Sequence, residues 1–301
     1  MPGPLILFLA AALALLNGCK TSADVEARPP AAESRRSDPP ASDNGASLGS
    51  RWSEILSYPE TTLRITAYTN AKRFGPILLW AQSLTEEPCA EDVISKVHAY
   101  SSVDFTVASD RHSVHVFYGD IDRDAVERCL SSVASANNGS LEAAGPLTKA
   151  TLEGRSFSIR WLQNDTPRTA IVGSPEAASA FVTGKRLARE DGRIAALVSR
   201  VDRARDSWSV SRMSALAREY TLELDLDSSV ATPSVEGRVT LLFDTPQLAQ
   251  DAERTLLDRL ASLDEANTIS VRKLESEVTL ELQAKGPQVS VLLNALAELI
   301  Q

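Results

Sequence analysis

From residue 51 onward, two hydrophobic periods alternate along the chain, and this alternation predicts its secondary structure. Short segments place apolar side chains at every second position with mostly polar residues between, which is typical of half-buried antiparallel strands. These segments centre on Ile65, Phe105, Val116, Ile159, Leu222, Leu241 and Leu280. Other stretches repeat apolar residues at the spacing of an amphipathic helix. The clearest helical stripes are Val126, Cys129, Leu130 and Val133; Ala249, Ala252, Leu256 and Leu260; and Val289, Leu292, Leu293, Leu296 and Ile300. We therefore expect an α+β fold of antiparallel sheets with helices on one face.

Strand, strand and helix follow one another in four successive units. The units lie at about 103–137, 147–183, 219–263 and 268–300, and single strands at 62–68 and 208–212 precede the first and the third. A helix over about 72–84 is predicted after the first of these strands, and another over 90–99. We expect repeated ββα units in two related halves, 51–205 and 206–301, although such alternation also arises without duplication.

The first 19 residues have the pattern of an export signal that ends at a cysteine. Residues 5–16 are all apolar, and as a helix they span roughly 18 Å, short of the ~30 Å bilayer core, which is typical of a signal peptide. The sequence Leu16-Asn17-Gly18-Cys19 resembles the lipobox of bacterial lipoproteins, with Leu at −3, a small residue at −1 and Cys at +1. The resemblance implies that the signal peptide 1–18 is removed and that Cys19 is lipidated.

Lys20 stands directly after Cys19, where lipoproteins of the inner membrane typically carry Asp. By the rule of that family, the protein would lie at the outer membrane and face the periplasm. The alternatives are an ordinary secretory peptide that ends by coincidence in Gly-Cys, and retention in the cytoplasm. Residues 19–50 contain Pro29-Pro30 and Pro39-Pro40 but no aromatic residue. We expect a disordered tether there, with a reach on the order of 30 Å.

Two of the three cysteines remain once Cys19 is assigned to lipid. Cys89 and Cys129 form an even pair, and an exported protein meets oxidising conditions that favour a disulfide. A bond requires the two Cα atoms to lie within about 7 Å of each other. The sequence leaves two interpretations open, a disulfide or two buried thiols.

The charge balance excludes some partners. Lys and Arg number 31 against 40 Asp and Glu, so the formal net charge is −9, and no basic block is present. Nucleic acids and anionic lipid headgroups both bind concentrated positive charge. We therefore expect no nucleic-acid partner and no electrostatic attachment to lipid.

Matches to catalytic motifs lack the context that their chemistry needs. Residues 45–49 read G-x-S-x-G and residues 42–44 read S-D-N, but both lie in the predicted tether. Ser270 and Lys273 match S-x-x-K inside a predicted strand. A glycine-rich phosphate loop and a C-x-x-C pair are both absent from the sequence.

Structural interpretations also account for the candidate metal ligands. His112 and His115 are three positions apart, so on a strand they point to opposite faces, and Asp110 fits a solvated turn. The acidic residues that imitate a calcium loop are Asp120, Asp122 and Asp124, but Ala125 and Ser131 replace the required Gly and Glu, so helix capping explains them better.

Acidic and aromatic residues elsewhere fit structural roles as well. A strand with Glu223, Asp225 and Asp227 is expected to be a solvated edge, with weak divalent binding as the alternative. Trp80, Trp161 and Trp208 are expected in the core, and Trp52 over a sheet edge.

The sequence thus indicates no catalytic, cofactor-binding or metal-binding residue. We expect a non-enzymatic, lipid-anchored envelope protein whose role is to bind or scaffold another envelope protein, by strand addition or by face packing. One alternative is a carrier of a small molecule or lipid, which would have a cavity between sheet and helices. Another is a hydrolase with a carboxylate site that no motif reveals.

Overall fold

Antiparallel pairing organises the described part of the chain. The computed structural model describes residues 61–69, 88–136, 138–152, 155–162, 168–183, 192–212, 214, 216–227, 232–260 and 268–300. Within these ranges the strands form one sheet of twelve, and every strand pair is antiparallel. This confirms the expected α+β class with antiparallel pairing.

The strands are β1 (Thr62–Tyr68), β2 (Val97–Val107), β3 (Asp110–Gly119), β4 (Ser140–Ala144), β5 (Leu147–Leu152), β6 (Arg155–Trp161), β7 (Arg168–Gly173), β8 (Ser207–Ser211), β9 (Glu219–Asp227), β10 (Ser234–Leu242), β11 (Thr268–Leu274) and β12 (Glu277–Lys285). The helices are α1 (Pro88–Ser95), α2 (Arg123–Ala136), α3 (Pro175–Thr183), α4 (Arg193–Val198), α5 (Pro246–Leu260) and α6 (Gln288–Ile300). None of these helices has the length and apolar character needed to cross a bilayer.

The strand order places the earliest described strand at the middle of the sheet. The order is β11-β12-β10-β9-β8-β1-β2-β3-β7-β6-β5-β4. Counted outward from the β1–β8 pair, one side therefore runs β2, β3, β7, β6 and the other runs β9, β10, β12, β11. The hairpin of β4 and β5 extends only the first side.

Helices cover both faces of the sheet, which corrects the expectation of helices on one face. We call face A the side that carries Ile171 and face B the side that carries Ala170 and Val172. Ile171 packs in a core with residues of α3 and α4, whereas its two neighbours pack in a core with residues of α2. The two faces are apolar at different places because adjacent strand residues point in opposite directions.

Face B carries a second apolar core under α5 and α6. All four predicted stripe residues of α5, Ala249, Ala252, Leu256 and Leu260, are buried there against β9, β10 and β12. In α2, Cys129, Leu130 and Val133 of the predicted stripe are buried and Val126 is partly buried. Burying one such leucine stabilises the fold by about 2 kcal/mol. The helical periods thus predicted the buried sides of these helices correctly.

Some boundaries differ from the predicted ones. The helix expected over 90–99 ends at Ser95, and β2 begins at Val97, earlier than predicted. The β2–β3 register shifts between Val97 and Ala99. This shift interrupts the alternation of apolar and polar residues from which a strand is predicted. Strand β4 and helix α4 were not predicted. The helix expected over 72–84 lies outside the described residues.

Candidate functional site

A disulfide joins Cys89 of α1 to Cys129 of α2, with the two Cα atoms 5.6 Å apart. Of the two interpretations that the sequence left open, the bonded pair is therefore confirmed. The bond closes a segment of 40 residues that contains the β2–β3 hairpin. In the chain-entropy model such a closure stabilises the fold by roughly 4 kcal/mol. Cys19 lies outside the described residues.

A polar layer occupies the middle of face B, between its two apolar cores. The central polar layer comprises Arg64, Thr66, Tyr68, Tyr100, Asp104, His115, Ser209 and Tyr220. Strand register brings these residues to one face, since Thr66 pairs with both Ser102 and Ser209, and Ser102 pairs with His115. Hydroxyl groups link the strands there: Thr66 Oγ1 lies 3.0 Å from Ser209 Oγ, which donates to the carbonyl of Ile65 at 2.9 Å.

The Asp104 carboxylate is the charged centre of this layer, and only 1% of the residue is exposed. It accepts hydrogen bonds from Arg64 Nε at 2.9 Å, from Arg111 at 2.8 Å and from the Ser113 hydroxyl at 2.5 Å. Burial acts to raise the pKa of Asp104, but Arg64, Ser113 and Arg111 outweigh it and hold that pKa below its ordinary value. The carboxylate is therefore ionised, and both its oxygens are engaged.

Tyr100 and His115 form the neutral part of the layer. The Tyr100 hydroxyl lies 2.7 Å from His115 Nδ1, and the two rings stack with centroids 6.0 Å apart. Burial lowers the pKa of His115 to about 4, although Asp104 opposes this shift. Burial also raises the pKa of Tyr100, so its hydroxyl keeps its proton and can donate it to Nδ1. Tyr68 also stacks on Tyr100, with the two ring centroids 5.8 Å apart.

Acid is expected to destabilise the protein through His115. The pKa of His115 is about 4 in the fold against an ordinary value of 6.5, so between these values the unfolded chain binds a proton that the folded chain does not. Stability is complete above about pH 6.5, and as the pH falls to about 4 the free energy of unfolding should drop by roughly 3 kcal/mol. Urea unfolding at several pH values measures this.

The matched variants are His115→Gln, which keeps an acceptor for Tyr100 but does not titrate, and His112→Gln on the opposite face. His115→Gln should flatten the pH dependence between pH 6.5 and 4, and His112→Gln should retain it. An unchanged slope in His115→Gln would show that other groups cause the loss of stability.

The structure separates the predicted histidine pair. His112 packs beside Phe105 on face A, at 6.0 Å between ring centroids, whereas His115 faces Tyr100 on face B. Asp110 begins β3 and is exposed. No group of three or more His, Cys, Asp or Glu side chains in the described ranges is placed to hold a metal ion.

The acidic run before α2 has the capping role that the sequence favoured. The Asp122 carboxylate accepts a hydrogen bond from the backbone N–H of Asp124 at 3.1 Å, in the first turn of α2. It also lies 3.6 Å from Arg168, and Asp120 lies 3.3 Å from His98. These contacts connect the start of α2 to β7 and β2.

The acidic strand β9 is an interior strand, so the expectation of a solvated edge at Glu223 and Asp225 was wrong. It lies between β8 and β10, and Glu223 is only 8% exposed. The loop after α4 crosses this part of face A: Glu223 accepts the backbone N–H of Asp202 at 2.8 Å, and Asp225 pairs with Arg205. The acidic side chains serve to anchor this loop. Asp227, at the end of β9, is half-buried.

The other candidates have structural positions. Trp161 and Trp208 are buried in the cores of face B and face A, as predicted. Ser270 and Lys273 lie on β11, as the sequence indicated, which is not the helical setting of an S-x-x-K nucleophile. Trp52, Trp80, the G-x-S-x-G match and the S-D-N match lie outside the described residues.

Part of face A beyond β9 is open to solvent. A shallow depression of about 310 Å³ crosses β10, β12 and β11, with Arg205, Glu236, Arg238, Ser270, Glu281 and Gln283 among its lining residues. Arg238 and Glu281 lie 3.4 Å apart and are more than half exposed, so this ion pair contributes at most about 1 kcal/mol. At the end of this surface, β11 is the outermost strand of the sheet.

Comparison with known proteins shows a likeness in fold only. No family model matches the chain. No curated protein sequence matches it. Crystal forms I and III of TP0453 superpose with TM-scores of 0.51 and 0.52, at 10% and 9% sequence identity. The matches cover 80% and 81% of this chain and 94% and 96% of the TP0453 chains. The chain is therefore similar in fold to TP0453.

Proposed function

We propose that this chain is a lipid-anchored protein of the cell envelope, attached through Cys19 after removal of residues 1–18 and facing the periplasm from the outer membrane. The observation that carries the proposal is the disulfide between Cys89 and Cys129. Disulfides form and persist outside the reducing cytoplasm, which is where a lipobox directs a protein. Residues 19–50 would tether the folded part to the membrane with a root-mean-square reach on the order of 30 Å.

The proposed activity is binding, with no catalysis. A general acid or base must be free to exchange a proton with a substrate. Two buried titratable groups of the central polar layer, Asp104 and His115, do not meet this requirement. Asp104 is held by three donors, and His115 is neutral and bonded to Tyr100. The open part of face A and the end of the sheet at β11 are, by contrast, accessible to another protein.

We also propose that the chain consists of two related halves, 51–205 and 206–301. The strand order supports this, because both sides of the sheet follow the same sequence outward from the centre. On one side the order is β1, β2, β3, β7, β6, and on the other side the corresponding order is β8, β9, β10, β12, β11. In the first half a helix follows β3 and another follows β7, and in the second half a helix follows β10 and another follows β12. The halves share one sheet through the antiparallel pairing of β1 with β8.

Replacing Cys19 with alanine tests the anchor. We expect the variant to move from the membrane fraction to the soluble periplasmic fraction and to lose incorporation of labelled palmitate, since both acyl chains depend on that thiol. Two acyl signals are needed for stable anchoring, so nearly all of the protein should be released.

The matched control is the Cys89→Ala, Cys129→Ala double variant, which lacks the disulfide but keeps Cys19. It should remain with the membranes and keep its label even if it is less stable. If Cys19→Ala stays with the membranes to the same extent as the unchanged protein, the proposed anchor is wrong.

A further inference from the structure

Strand β11 ends the sheet with an open, regular edge. Its outer side has no strand partner in the part of the chain that the structure describes. All seven residues pair with β12 without a register shift. An edge of this length without a bulge presents a row of backbone N–H and C=O groups that can pair with another strand.

The corresponding strand on the other side of the sheet already has an antiparallel partner. Counted outward from the centre, β6 holds the place on its side that β11 holds on the other. The outer side of β6 pairs with β5 in antiparallel register from Leu147–Arg160 to Leu152–Arg155. Helix α2 packs over β4 and β5 on face B, and α5 packs over β11 and β12 on the same face. The fold thus already holds an antiparallel strand at the corresponding edge.

The side chains of β11 indicate which charge would suit a strand that pairs with its outer side. Ile269 and Val271 face B and pack partly against the core beneath α5. Arg272 is exposed on face A, and Lys273 follows it on face B. Lys273 Nζ donates to the backbone carbonyl of Glu275 at 3.4 Å, and neither Lys273 nor Arg272 has a carboxylate partner among the described residues, although the chain as a whole carries a net charge of −9. Two adjacent cations without a carboxylate partner on an open edge favour an acidic partner strand.

A second copy of this chain fits the same edge less well. Antiparallel pairing of two β11 strands about Val271 would bring Arg272 and Lys273 of both copies into one short ladder, with four positive charges and no negative one. In that register Arg272 lies opposite Ser270 and Lys273 opposite Ile269 of the other copy, so neither cation gains the carboxylate that an acidic strand would supply.

We propose that the β11 edge binds an extended segment of another envelope protein as an added antiparallel strand, with two adjacent carboxylates opposite Arg272 and Lys273. This inference rests on the proposed function as a binding module and names the partner class and the surface. Backbone hydrogen bonds would supply affinity, and the two ion pairs would set direction and register.

A synthetic seven-residue probe tests the proposal. In the peptide TEEVTVT, the two glutamates lie opposite Lys273 and Arg272 when the peptide runs antiparallel to β11. We expect saturable binding of the labelled peptide to the full-length protein, purified from membranes in detergent and measured by fluorescence anisotropy. The variant Arg272→Glu with Lys273→Glu should weaken binding at least about tenfold, because two attractions become repulsions. The matched control Lys285→Glu, at an exposed position at the end of β12, should bind like the unchanged protein.

Two further probes separate strand addition from simple charge attraction. The peptide TKKVTVT should bind at least about tenfold more weakly, and TEEVTVT with alternate N-methylated amides should not bind, since methylation removes the backbone donors. Equal binding of the methylated peptide, or no loss in the charge-reversed variant, would overturn the proposal. So would a dimer of the unliganded protein in sedimentation that the charge reversal dissolves, because the occupant would then be a second copy.

The two proposals can fail separately. If Cys19→Ala stays on membranes while the acidic peptide binds as described, the anchor is wrong and the β11 edge stands. If Cys19→Ala is released but the peptide does not bind, the anchor stands and the edge proposal is wrong.

Discussion

Replacing Gly119 with alanine is expected to lower the free energy of unfolding by about 4 kcal/mol, a loss that few single substitutions cause. Gly119 ends β3 where it meets the start of β2. A Cβ atom there would lie far inside van der Waals contact of the Lys96 carbonyl oxygen and 2.9 Å from the Val97 Cα. Both obstacles are backbone atoms, so no side-chain rotation can relieve the clash. Urea unfolding followed by circular dichroism measures the loss.

Gly145→Ala is the matched control for Gly119→Ala. Gly145 has φ +58° in the exposed β4–β5 turn, and nothing lies within 4 Å of a Cβ placed there. Its substitution should therefore lower the free energy of unfolding by only about 1 kcal/mol, which is the cost of holding an alanine in the left-handed conformation. Equal losses in the two variants would show that the close approach of β2 to β3 is not what makes Gly119 necessary.

Replacing Asp104 with asparagine is expected to cost about 3 kcal/mol. Asparagine has nearly the same shape but no charge, so Arg64 would remain half-buried without a counter-ion. Because the pKa of Asp104 is lowered in the fold, its contribution is present above the ordinary value of 3.8 and is lost as the pH falls further. This loss occurs in more acidic solution than the loss through His115.

Arg111→Ala supplies the control for the Asp104 variant. Arg111 contacts the same carboxylate at 2.8 Å, but its side chain is 53% exposed. Water can replace it, so its removal should cost less than about 1 kcal/mol. If Asp104→Asn is as stable as Arg111→Ala, the carboxylate does not hold the centre of face B, and the assignment of the central polar layer as a structural network fails.

Local patterns predicted most elements because strand and helix periods are recorded in neighbouring residues. Leu222, Leu224 and Leu226 alternate with acidic residues, and their strand is where the period of two placed it. The stripe that ends at Leu260 marked the buried side of α5 equally well. Strand β4 was not predicted because Ser140–Ala144 is short and three of its five residues are small, so it carries almost no periodic signal.

Burial of polar residues was not predictable in the same way. Asp104 and Glu223 stand at the polar positions of alternating strands, as solvent-facing residues do. The sequence therefore indicated an open face at both places. Distant segments changed this outcome: the loop after α4 bonds Glu223, and β1 and β3 bring Arg64 and Ser113 to Asp104.

By itself the sequence determined the strand and helix periods and the α+β class, because these depend on residue types at short spacing, and the cysteine count gave the two candidate partners for a disulfide. Tertiary structure decided that Cys89 meets Cys129, that helices cover both faces, and that β9 lies inside the sheet while β11 ends it. These outcomes depend on which distant strands become neighbours. Hydrogen-bond pairing between strands is much the same for any sequence, so only packing of the whole chain selects the order.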